Sequence, residues 1–303
     1  MSWKVPRFTN NHYYAFFILI LSVNASIGYM AWEAQGVEIT ELQIEGAPGG
    51  IVFIADPHLK ESNLGHVRMV IGEINRLQPS VVLIGGDFVY GIDPDLGLQE
   101  VWREIDAPVY AVLGNHDYKA GIDATTGIEK VSALSGASLH PDCYDVACLR
   151  DSATDLAFAD DVEAVLEANG VTVLRNEVVE LDIEGARLVI VGVDDGWAGM
   201  ANPPRLEPSG AFTVYMIHEP ECRADWSCDL ILAGHTHGGQ FNSPVLQLAN
   251  NAGIVELKGM QEGGTSPTYI SRGIGTSNLD RELRFFCSPE IVVINPPSFN
   301  SGV

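Results

Sequence analysis

Five short apolar runs, each closed by polar residues, constrain the fold of this chain more than any other feature. Each run has the length of one strand, and its residues are apolar on both faces that the strand would present to its surroundings. That pattern is typical of strands buried on both sides of a sheet. The runs with their closing residues are IVFIAD, SVVLIGGD, PVYAVLGNHD, TVYMIHEP and DLILAGHTH.

Helical periodicity fills the intervals between several of these runs. The segment HVRMVIGEINRLQP has apolar residues at helical spacing and ends at Pro79, which cannot continue a helix. Asp95 is predicted to cap a second helix, and Gly170 to end a third helix in DDVEAVLEANG. Further strands are predicted around an Asp-Ile-Glu-Gly turn and in PTYISRG and EIVVINP. The alternation predicts the α/β class, with one catalytic domain over residues 33–303.

Side chains able to bind metal ions follow all five runs. In open α/β sheets, ligands bind beyond the carboxyl ends of strands, so five such ends can converge on one site. Five of the eight histidines lie at these ends. Taken singly, each motif could be a tight turn or a hydrogen-bonded histidine, but their repetition predicts a metal site. The residues are Asp56, His58, Asp87, Asn115, His116, His218, His235 and His237.

The net charge of −23, from 40 acidic and 17 basic residues, limits the partners. Proteins hold nucleic acid phosphates with surplus lysine and arginine, so this composition argues against nucleic acid as a partner. A substrate that carries phosphate would then need bound metal, rather than side-chain cations, to hold it. No feature of the sequence indicates a protein partner.

The five cysteines leave two alternatives open. Cys143 and Cys148, and also Cys222 and Cys228, are spaced more widely than the CxxC pairs of structural zinc sites. Each pair could close a small disulfide in an oxidising compartment, although the odd number argues against a complete disulfide framework. Alternatively, all five, including Cys287, are ordinary buried thiols.

An uncharged apolar stretch near the amino end predicts a membrane or export segment. The stretch YYAFFILILSVNASIGYMAW has 20 residues, and no charged side chain occurs between Arg7 and Glu33. At about 1.5 Å per residue it crosses a hydrocarbon core of roughly 30 Å. Tyr13, Tyr14 and Trp32 lie at its ends, as aromatic residues do at membrane interfaces.

Three interpretations of residues 1–32 differ in where they leave the catalytic domain. As an inner-membrane anchor, the segment keeps Lys4 and Arg7 in the cytosol and exports the rest of the chain to the extracytoplasmic side. A signal peptide cleaved after Val23-Asn24-Ala25 is the competing interpretation. The charged flanks disfavour a buried helix of a soluble protein.

The motif order DPH, GGD, GNHD, IHEP and GHTHGGQ resembles the calcineurin-like metallophosphoesterase superfamily, whose motifs run D-x-H, G-D, G-N-H-[DE], H and G-H-x-H. With SRGIG and SPEI, the chain is most similar to the membrane-linked bacterial branch of YaeI-like and YkuE-like phosphoesterases and UDP-2,3-diacylglucosamine hydrolases. The resemblance covers about Ile51 to Ile294. One departure is the segment from Lys119 to about Asp155, which lacks clear periodicity. We expect it to be an inserted surface excursion that reshapes the substrate mouth.

The resemblance implies a four-layer α-β-β-α sandwich of two mixed sheets, with two metal ions at the sheet edge. His116 would stabilise the transition state or protonate the leaving oxygen. Asp117 would orient His116, or else have a purely structural role. One ion would take Asp56, His58, Asp87 and His237, and the other Asp87, Asn115, His218 and His235, with Asp87 bridging them.

The chemistry accounts for these residue types. Carboxylate, amide and imidazole ligands without thiolate suit Mn, Fe, Zn, Co or Ni more than Ca or Mg. Two ions about 3.5–4 Å apart can hold both phosphoryl oxygens and an attacking hydroxide, because metal lowers the pKa of bound water to about 7. His235 and His237 alternate along the backbone and can address different ions, while the neighbouring glycines let the chain pass close.

These features predict a dinuclear metal-dependent phosphoesterase that hydrolyses a phosphoester or pyrophosphate bond of a small or lipid-linked substrate, such as UDP-2,3-diacylglucosamine. The alternative is a general phosphodiesterase or phosphomonoesterase of the cell envelope. An outward domain favours the envelope substrate, whereas an inward domain favours the nucleotide lipid, which is made in the cytosol. A non-catalytic metal-binding scaffold would lack ligands or His116, but every position is filled.

Overall fold

Two six-stranded sheets form the body of the protein in the computed structural model, which describes residues 10–207, 209–261, 264, 266–277 and 281–296. The first sheet has the order β1-β12-β2-β3-β4-β5, and its neighbouring strands are parallel except for the pair β12 and β2. Its strands are β1 (Glu38–Leu42), β2 (Ile51–Ile54), β3 (Val81–Gly85), β4 (Val109–Val112), β5 (Val171–Val173) and β12 (Glu290–Ile294).

The second sheet has the order β10-β11-β9-β8-β7-β6 and is antiparallel at its two edge pairs. Between β6 and β7, Ile183 pairs with Ala186 and leaves the two-residue loop predicted from the Asp-Ile-Glu-Gly sequence. Both sheets are mixed, which confirms the predicted fold class. The strands are β6 (Glu177–Ile183), β7 (Ala186–Gly192), β8 (Phe212–Ile217), β9 (Leu230–Ala233), β10 (Gly259–Gln261) and β11 (Thr268–Ile270).

Alternate residues of the central strands pack into two different layers. Ile51 and Phe53 of β2 join a cluster between the sheets that includes Ile190 of β7. Val52 and Ile54 point the other way, into a second cluster beneath the helices. Because all four β2 residues are fully buried, the run is apolar at every position.

Helices cover the outer face of the first sheet. The predicted apolar stripe of α2 is confirmed, because its residues are buried against the strands. Asp95 caps the second predicted helix, where its Oδ1 accepts a hydrogen bond from the Gly97 N–H at 2.9 Å. The elements are α2 (Leu64–Leu77), a 3-10 helix (Leu96–Glu104) and α4 (Leu156–Ala168).

Residues 119–155 lie against the second sheet and its loops. They contain a helix that periodicity did not predict, α3 (Ala124–Ala133), which begins at a capping box where Asp123 accepts from the N–H of Thr126. Lys130 is only 2% exposed and donates to the Trp197 carbonyl at 2.7 Å. The segment is therefore fixed to the loop that follows β7.

The apolar stretch near the amino end forms the helix α1 (Asn10–Glu33). This helix is long enough and apolar enough to cross a membrane. Lys4 and Arg7 lie outside the described residues. The last turn of α1 is attached to the domain through Glu33, which is 6% exposed. Its carboxylate accepts hydrogen bonds from the N–H groups of Phe286 and Cys287, each at 2.8 Å.

All five cysteines are free thiols in the structure. Cys222 and Cys287 are buried, as the ordinary-thiol alternative predicts, but that alternative is wrong for Cys143 and Cys148, which are exposed. The thiol of Cys287 donates a hydrogen bond to the carbonyl of His237 at 3.2 Å, so it links the Glu33 contact to the GHTHGGQ loop.

We expect Glu33→Ala to lower the free energy of unfolding, because it leaves the buried N–H of Cys287 and the partly buried N–H of Phe286 without their acceptor. Loss of hydrogen bonds to a charged group costs about 2–3 kcal/mol. Thermal unfolding of the full chain in detergent, followed by circular dichroism, measures the change as a fall in Tm. Glu45→Ala at an exposed turn is the control, and an equal Tm for both variants would contradict the expectation.

Candidate metal centre

The seven predicted ligands lie in loops at the carboxyl ends of the central strands, and the structure brings all seven together. The first sheet supplies four of them, from the ends of β2, β3 and β4, and the second sheet supplies three, from the ends of β8 and β9. The site therefore forms only where the two sheets meet. The residues are Asp56, His58, Asp87 and Asn115 from the first sheet, and His218, His235 and His237 from the second.

Four of these residues form a first donor set, namely Asp56, His58, Asp87 and His237. The Nε2 atom of His58 lies 2.9 Å from the Nε2 atom of His237 and 3.4 Å from Oδ2 of Asp87. Nε2 of His237 lies 3.7 Å from Oδ1 of Asp56. Donor atoms that each lie roughly 2.0–2.2 Å from one ion are separated by such distances.

The second donor set contains Asp87, Asn115, His218 and His235. Oδ2 of Asp87 lies 3.1 Å from Nε2 of His218, which lies 3.3 Å from Nδ1 of His235. That Nδ1 atom lies 3.1 Å from Oδ1 of Asn115. The second set therefore has the same compactness as the first.

The carboxylate of Asp87 belongs to both donor sets. Its Oδ2 atom faces His58 on one side and His218 on the other. Its Oδ1 atom accepts a hydrogen bond from the His116 N–H at 2.8 Å, which fixes the orientation of the group. A side chain at Gly114 would collide with this Oδ1, so the loop requires glycine there.

The cluster contains buried polar atoms that neighbouring protein groups do not satisfy. Oδ2 of Asp56 is fully buried and has no hydrogen-bond partner among the residues that the structure describes. The nitrogen atoms of His58 and His237 that face each other can share only one proton. Cations held between the carboxylates and imidazoles would satisfy these atoms, so the residues present fit resident metal ions.

Backbone carbonyls orient two of the imidazoles. Nδ1 of His218 donates to the Gly85 carbonyl at 2.7 Å, and Nδ1 of His58 lies 3.3 Å from the Val89 carbonyl. When these Nδ1 atoms carry the protons, both Nε2 atoms present lone pairs to the cluster. Such carbonyl contacts set the tautomer of histidines that bind metal.

Burial and neighbouring charges shift the pKa values of the cluster residues in different directions. Burial opposes ionisation of Asp87, but the surrounding histidines, His218 foremost, hold the pKa of its carboxyl well below its usual range. Burial would lower the pKa of His218, but the charge of Asp87 overcomes this and raises it. Burial lowers the pKa of His58 to about 3 and depresses that of His237, so both are neutral, the form that binds metal.

Five of the seven candidate ligands have a left-handed backbone. Residues other than glycine rarely adopt this conformation, and it persists only where the surrounding structure imposes it. At Gly234, a side chain would approach Asp56 Oδ2 to 2.9 Å, which accounts for the glycine that precedes His235. The φ values are 53° for Asp56, 41° for His58, 59° for Asp87, 68° for His235 and 49° for His237.

The two residues predicted to be catalytic lie in different surroundings. The ring of His116 is partly exposed beside the cluster, with its centroid 4.6 Å from that of His58. The carboxylate of Asp117 is fully buried and accepts hydrogen bonds from the N–H groups of Gly114 at 2.9 Å and Val89 at 3.1 Å. These contacts join the loops after β3 and β4 and favour the structural alternative for Asp117. Burial, with the nearby charge of Asp87, raises its pKa to about 7.

A cavity of about 200 Å³ opens onto the donor sets. Its far wall consists of Trp197 and of residues 121–123 and 127 around the start of α3, so the excursion does line the mouth. The ring of Trp197 lies 4.4 Å from that of His235. Trp197 was not predicted from the sequence, although VDDGW follows the apolar run of β7 as the other motifs follow theirs. A larger cavity of about 710 Å³, which includes Tyr215 and Trp226, contains none of the candidate ligands.

Similarities to known proteins agree with this arrangement. Residues 50–239 match the family described as calcineurin-like phosphoesterase. The chain is 28% identical to the uncharacterized metallophosphoesterase YkuE of Bacillus subtilis, over 92% of this chain and 93% of that protein. It is 26% identical to the phosphodiesterase YaeI of Escherichia coli, over 90% and 94%. It is also 26% identical to the UDP-2,3-diacylglucosamine pyrophosphatase LpxG of Chlamydia trachomatis, over 80% and 82%.

The family match spans more than half of the chain and contains all seven candidate ligands. The relatives include the YkuE and YaeI proteins of the predicted bacterial branch, and the similarity extends over nearly the whole length of both. The predicted family is therefore confirmed: the chain belongs to the calcineurin-like phosphoesterases and is a metal-dependent phosphoester hydrolase.

Proposed function

We propose that this hydrolase works with two divalent transition-metal ions, drawn from Mn, Fe, Zn, Co or Ni, held by the two donor sets described above. The observation that carries the proposal is the position of Asp87, whose Oδ2 lies 3.4 Å from His58 Nε2 and 3.1 Å from His218 Nε2. One carboxylate oxygen thus faces both sets. The ligands are Asp56, His58, Asp87 and His237 for one ion, and Asp87, Asn115, His218 and His235 for the other.

The composition of the cavity supports the need for ions in substrate binding. Among the described residues that line it, none is lysine or arginine, and Asp87 and Asp123 add negative charge. A phosphate group would be repelled by such a site without bound cations. When bound, the ions neutralise the phosphoryl oxygens and lower the pKa of a water molecule to about 7.

His116 is the residue that we assign to proton transfer. Its ring lines the cavity and its backbone N–H donates to Asp87. In our assignment the imidazole lies beside the ions and is not one of their ligands. Burial lowers the pKa of its imidazole, with the charges of neighbouring histidines adding to the effect and Asp87 opposing it. From this position His116 protonates the leaving oxygen or stabilises the transition state. Asp117 acts only through the loops that it joins.

The substrate is a phosphoester or pyrophosphate of small or lipid-linked type. The lipid-linked class is supported by α1, which is apolar enough to cross a bilayer, and by the similarity to a UDP-2,3-diacylglucosamine pyrophosphatase. A general phosphodiesterase or phosphomonoesterase of the envelope is the second candidate, favoured by an outward domain. Residues 1–32 form the inner-membrane anchor, and residues 33–303 form the catalytic domain.

We expect Asp87→Ala to reduce binding of both ions, because both donor sets lose one ligand. His237→Ala should reduce occupancy of the first set alone, leaving about one ion per chain. Elemental analysis of protein loaded with Mn and freed of excess metal measures the stoichiometry. Two ions per chain in Asp87→Ala would contradict the bridging assignment.

We expect His116→Ala to retain both ions and to lose about 10²–10⁴-fold in kcat, the usual contribution of a general acid. The loss should be larger for an alkyl leaving group than for p-nitrophenolate, which leaves without protonation. Steady-state kinetics on matched diesters, together with metal analysis, test this. His140→Ala, at an exposed histidine, is the control. Equal losses for both leaving groups would exclude protonation by His116.

We expect alkaline phosphatase fused to the carboxyl end to be active, because the positive end of the anchor stays inside and the domain is exported. The matched fusion to a cytosolic reporter such as β-galactosidase should be inactive. The reverse pattern would show an inward domain and would favour the nucleotide lipid as the substrate.

A further inference from the structure

Residues 240–255 form a segment without charged side chains that exposes several large apolar ones, which is unusual for an acidic protein. We refer to these residues as the uncharged segment. None of the 16 residues is aspartate, glutamate, lysine, arginine or histidine, although the chain has a net charge of −23. Of the large apolar side chains among the described residues, four are at least 70% exposed, and three of them lie here. They are Val245 at 74%, Leu248 at 70% and Ile254 at 76%. Scattered exposed apolar residues are ordinary, but a group of them marks an interaction surface.

The helical part of the uncharged segment is α5 (Pro244–Asn251), which Ser243 caps by accepting from the Leu246 N–H. Val245 and Leu248 lie three residues apart and therefore share one helix face. No residue of α5 is buried, so its apolar face does not pack on the domain core. The helix needs another apolar surface to cover it.

The uncharged segment begins beside the end of α1. Phe241 forms a bridge with Phe285, where the Asn242 N–H donates to the Phe285 carbonyl at 2.8 Å. The ring of Phe285 lies 6.0 Å from the ring of Tyr29 in α1. One turn farther along α1, Trp32 is 69% exposed. The bridge at Phe241 and the ring contact of Phe285 thus connect the start of the uncharged segment with the last turns of α1.

We propose that the uncharged segment lies on the surface of the bilayer that α1 enters, with Val245, Leu248 and Ile254 at the boundary of the acyl chains. A lipid surface, rather than a protein, is the occupant because the segment starts beside the end of α1, which is apolar enough to cross a bilayer, and offers no charge for specific pairing. Helices that lie in the plane of the interface bury one apolar face at the boundary of the acyl chains. The proposal rests on the anchoring role assigned to α1 above.

This position would bring the metal centre to the level of the lipid headgroups. His237 precedes the uncharged segment by only three residues, and Thr236 donates a hydrogen bond from its hydroxyl to the carbonyl of Leu257, just beyond the other end. Both ends of the segment are therefore attached to the loop that carries two ligands. A phosphoester in the headgroup layer would reach the cavity without leaving the membrane.

The first experiment measures contact with lipid. The full chain with Leu248→Trp is reconstituted in vesicles of phosphatidylcholine and phosphatidylglycerol, with and without brominated acyl chains, which quench nearby tryptophan. We expect the added emission to be quenched. Val178→Trp is the control, because β6 lies at the opposite edge of its sheet from β10, which follows the uncharged segment. Equal quenching at both positions, or none at residue 248, would overturn the proposal.

The second experiment separates membrane contact from catalysis. The variant with Val245→Ser, Leu248→Ser and Ile254→Ser is assayed on ethyl and hexadecyl p-nitrophenyl phosphate, which share one reactive group and differ in membrane partition. In vesicles we expect kcat/KM to fall about tenfold for the hexadecyl ester and to change less than about twofold for the ethyl ester. The Val178→Ser variant should match the unsubstituted chain on both.

Each other outcome has a definite meaning. Equal losses on both esters would mean that the uncharged segment only supports the ligand loop, and no loss on either would mean that it has no role at the membrane. Conversion of a dimer to a monomer by the triple substitution, without quenching at residue 248, would assign the surface to self-association. All three would overturn the proposal. If the unsubstituted chain hydrolyses neither ester, the proposed function fails on this substrate class, while the quenching experiment still tests the membrane contact.

Discussion

The arrangement of this protein depends on one buried carboxylate, that of Asp87, placed between imidazoles from two sheets. A buried carboxylate is stable only when it is paired and hydrogen-bonded, and here the protein supplies both. His218 lies 3.1 Å from one oxygen, and the His116 N–H lies 2.8 Å from the other. Gly114 leaves the space that the carboxylate fills. The two sheets must therefore pack so that the carboxyl ends of their central strands lie at the same edge of the sandwich, because neither sheet alone contains both partners.

The rigidity of the sheets also accounts for the conformation of the ligand loops. Five candidate ligands have positive φ angles, which costs of order 1 kcal/mol or more for each residue. Each of these five residues lies within four positions of the end of a buried strand, which leaves the chain little freedom to relax. Contacts such as those of Asp117 to Gly114 and Val89 hold neighbouring loops together. The strained backbone thus holds the donor atoms in place. Its cost in stability is offset by the burial of the apolar layers.

The sequence predicted the parts of the molecule that depend on local pattern. Residues at the ends of apolar runs are recognisable because strand length and alternation are local properties. The clustering of the seven candidate ligands, the helix α2 and the cap at Asp95 could therefore be predicted. The parts that were missed depend on distant contacts. The wall formed by Trp197 is held by Lys130, which lies far away in sequence, and the helix α3 shows only its capping box at Asp123. Contacts between residues that are far apart in the chain leave no periodic pattern in the sequence.

The attachment of α1 depends on contacts of the same long-range kind and joins this apolar helix to the candidate metal centre. Glu33 binds the N–H of Cys287, and the thiol of Cys287 donates to the carbonyl of His237, so two hydrogen bonds connect the last turn of α1 with a ligand residue. Both contacts lie beyond Ala25, and cleavage of a signal peptide there would leave them intact. The end of α1 is consequently part of the domain that holds the ligands, rather than a flexible tether. Because of this, the direction in which the cavity faces relative to α1 is fixed by folding, and a bilayer around α1 would meet the site at one orientation.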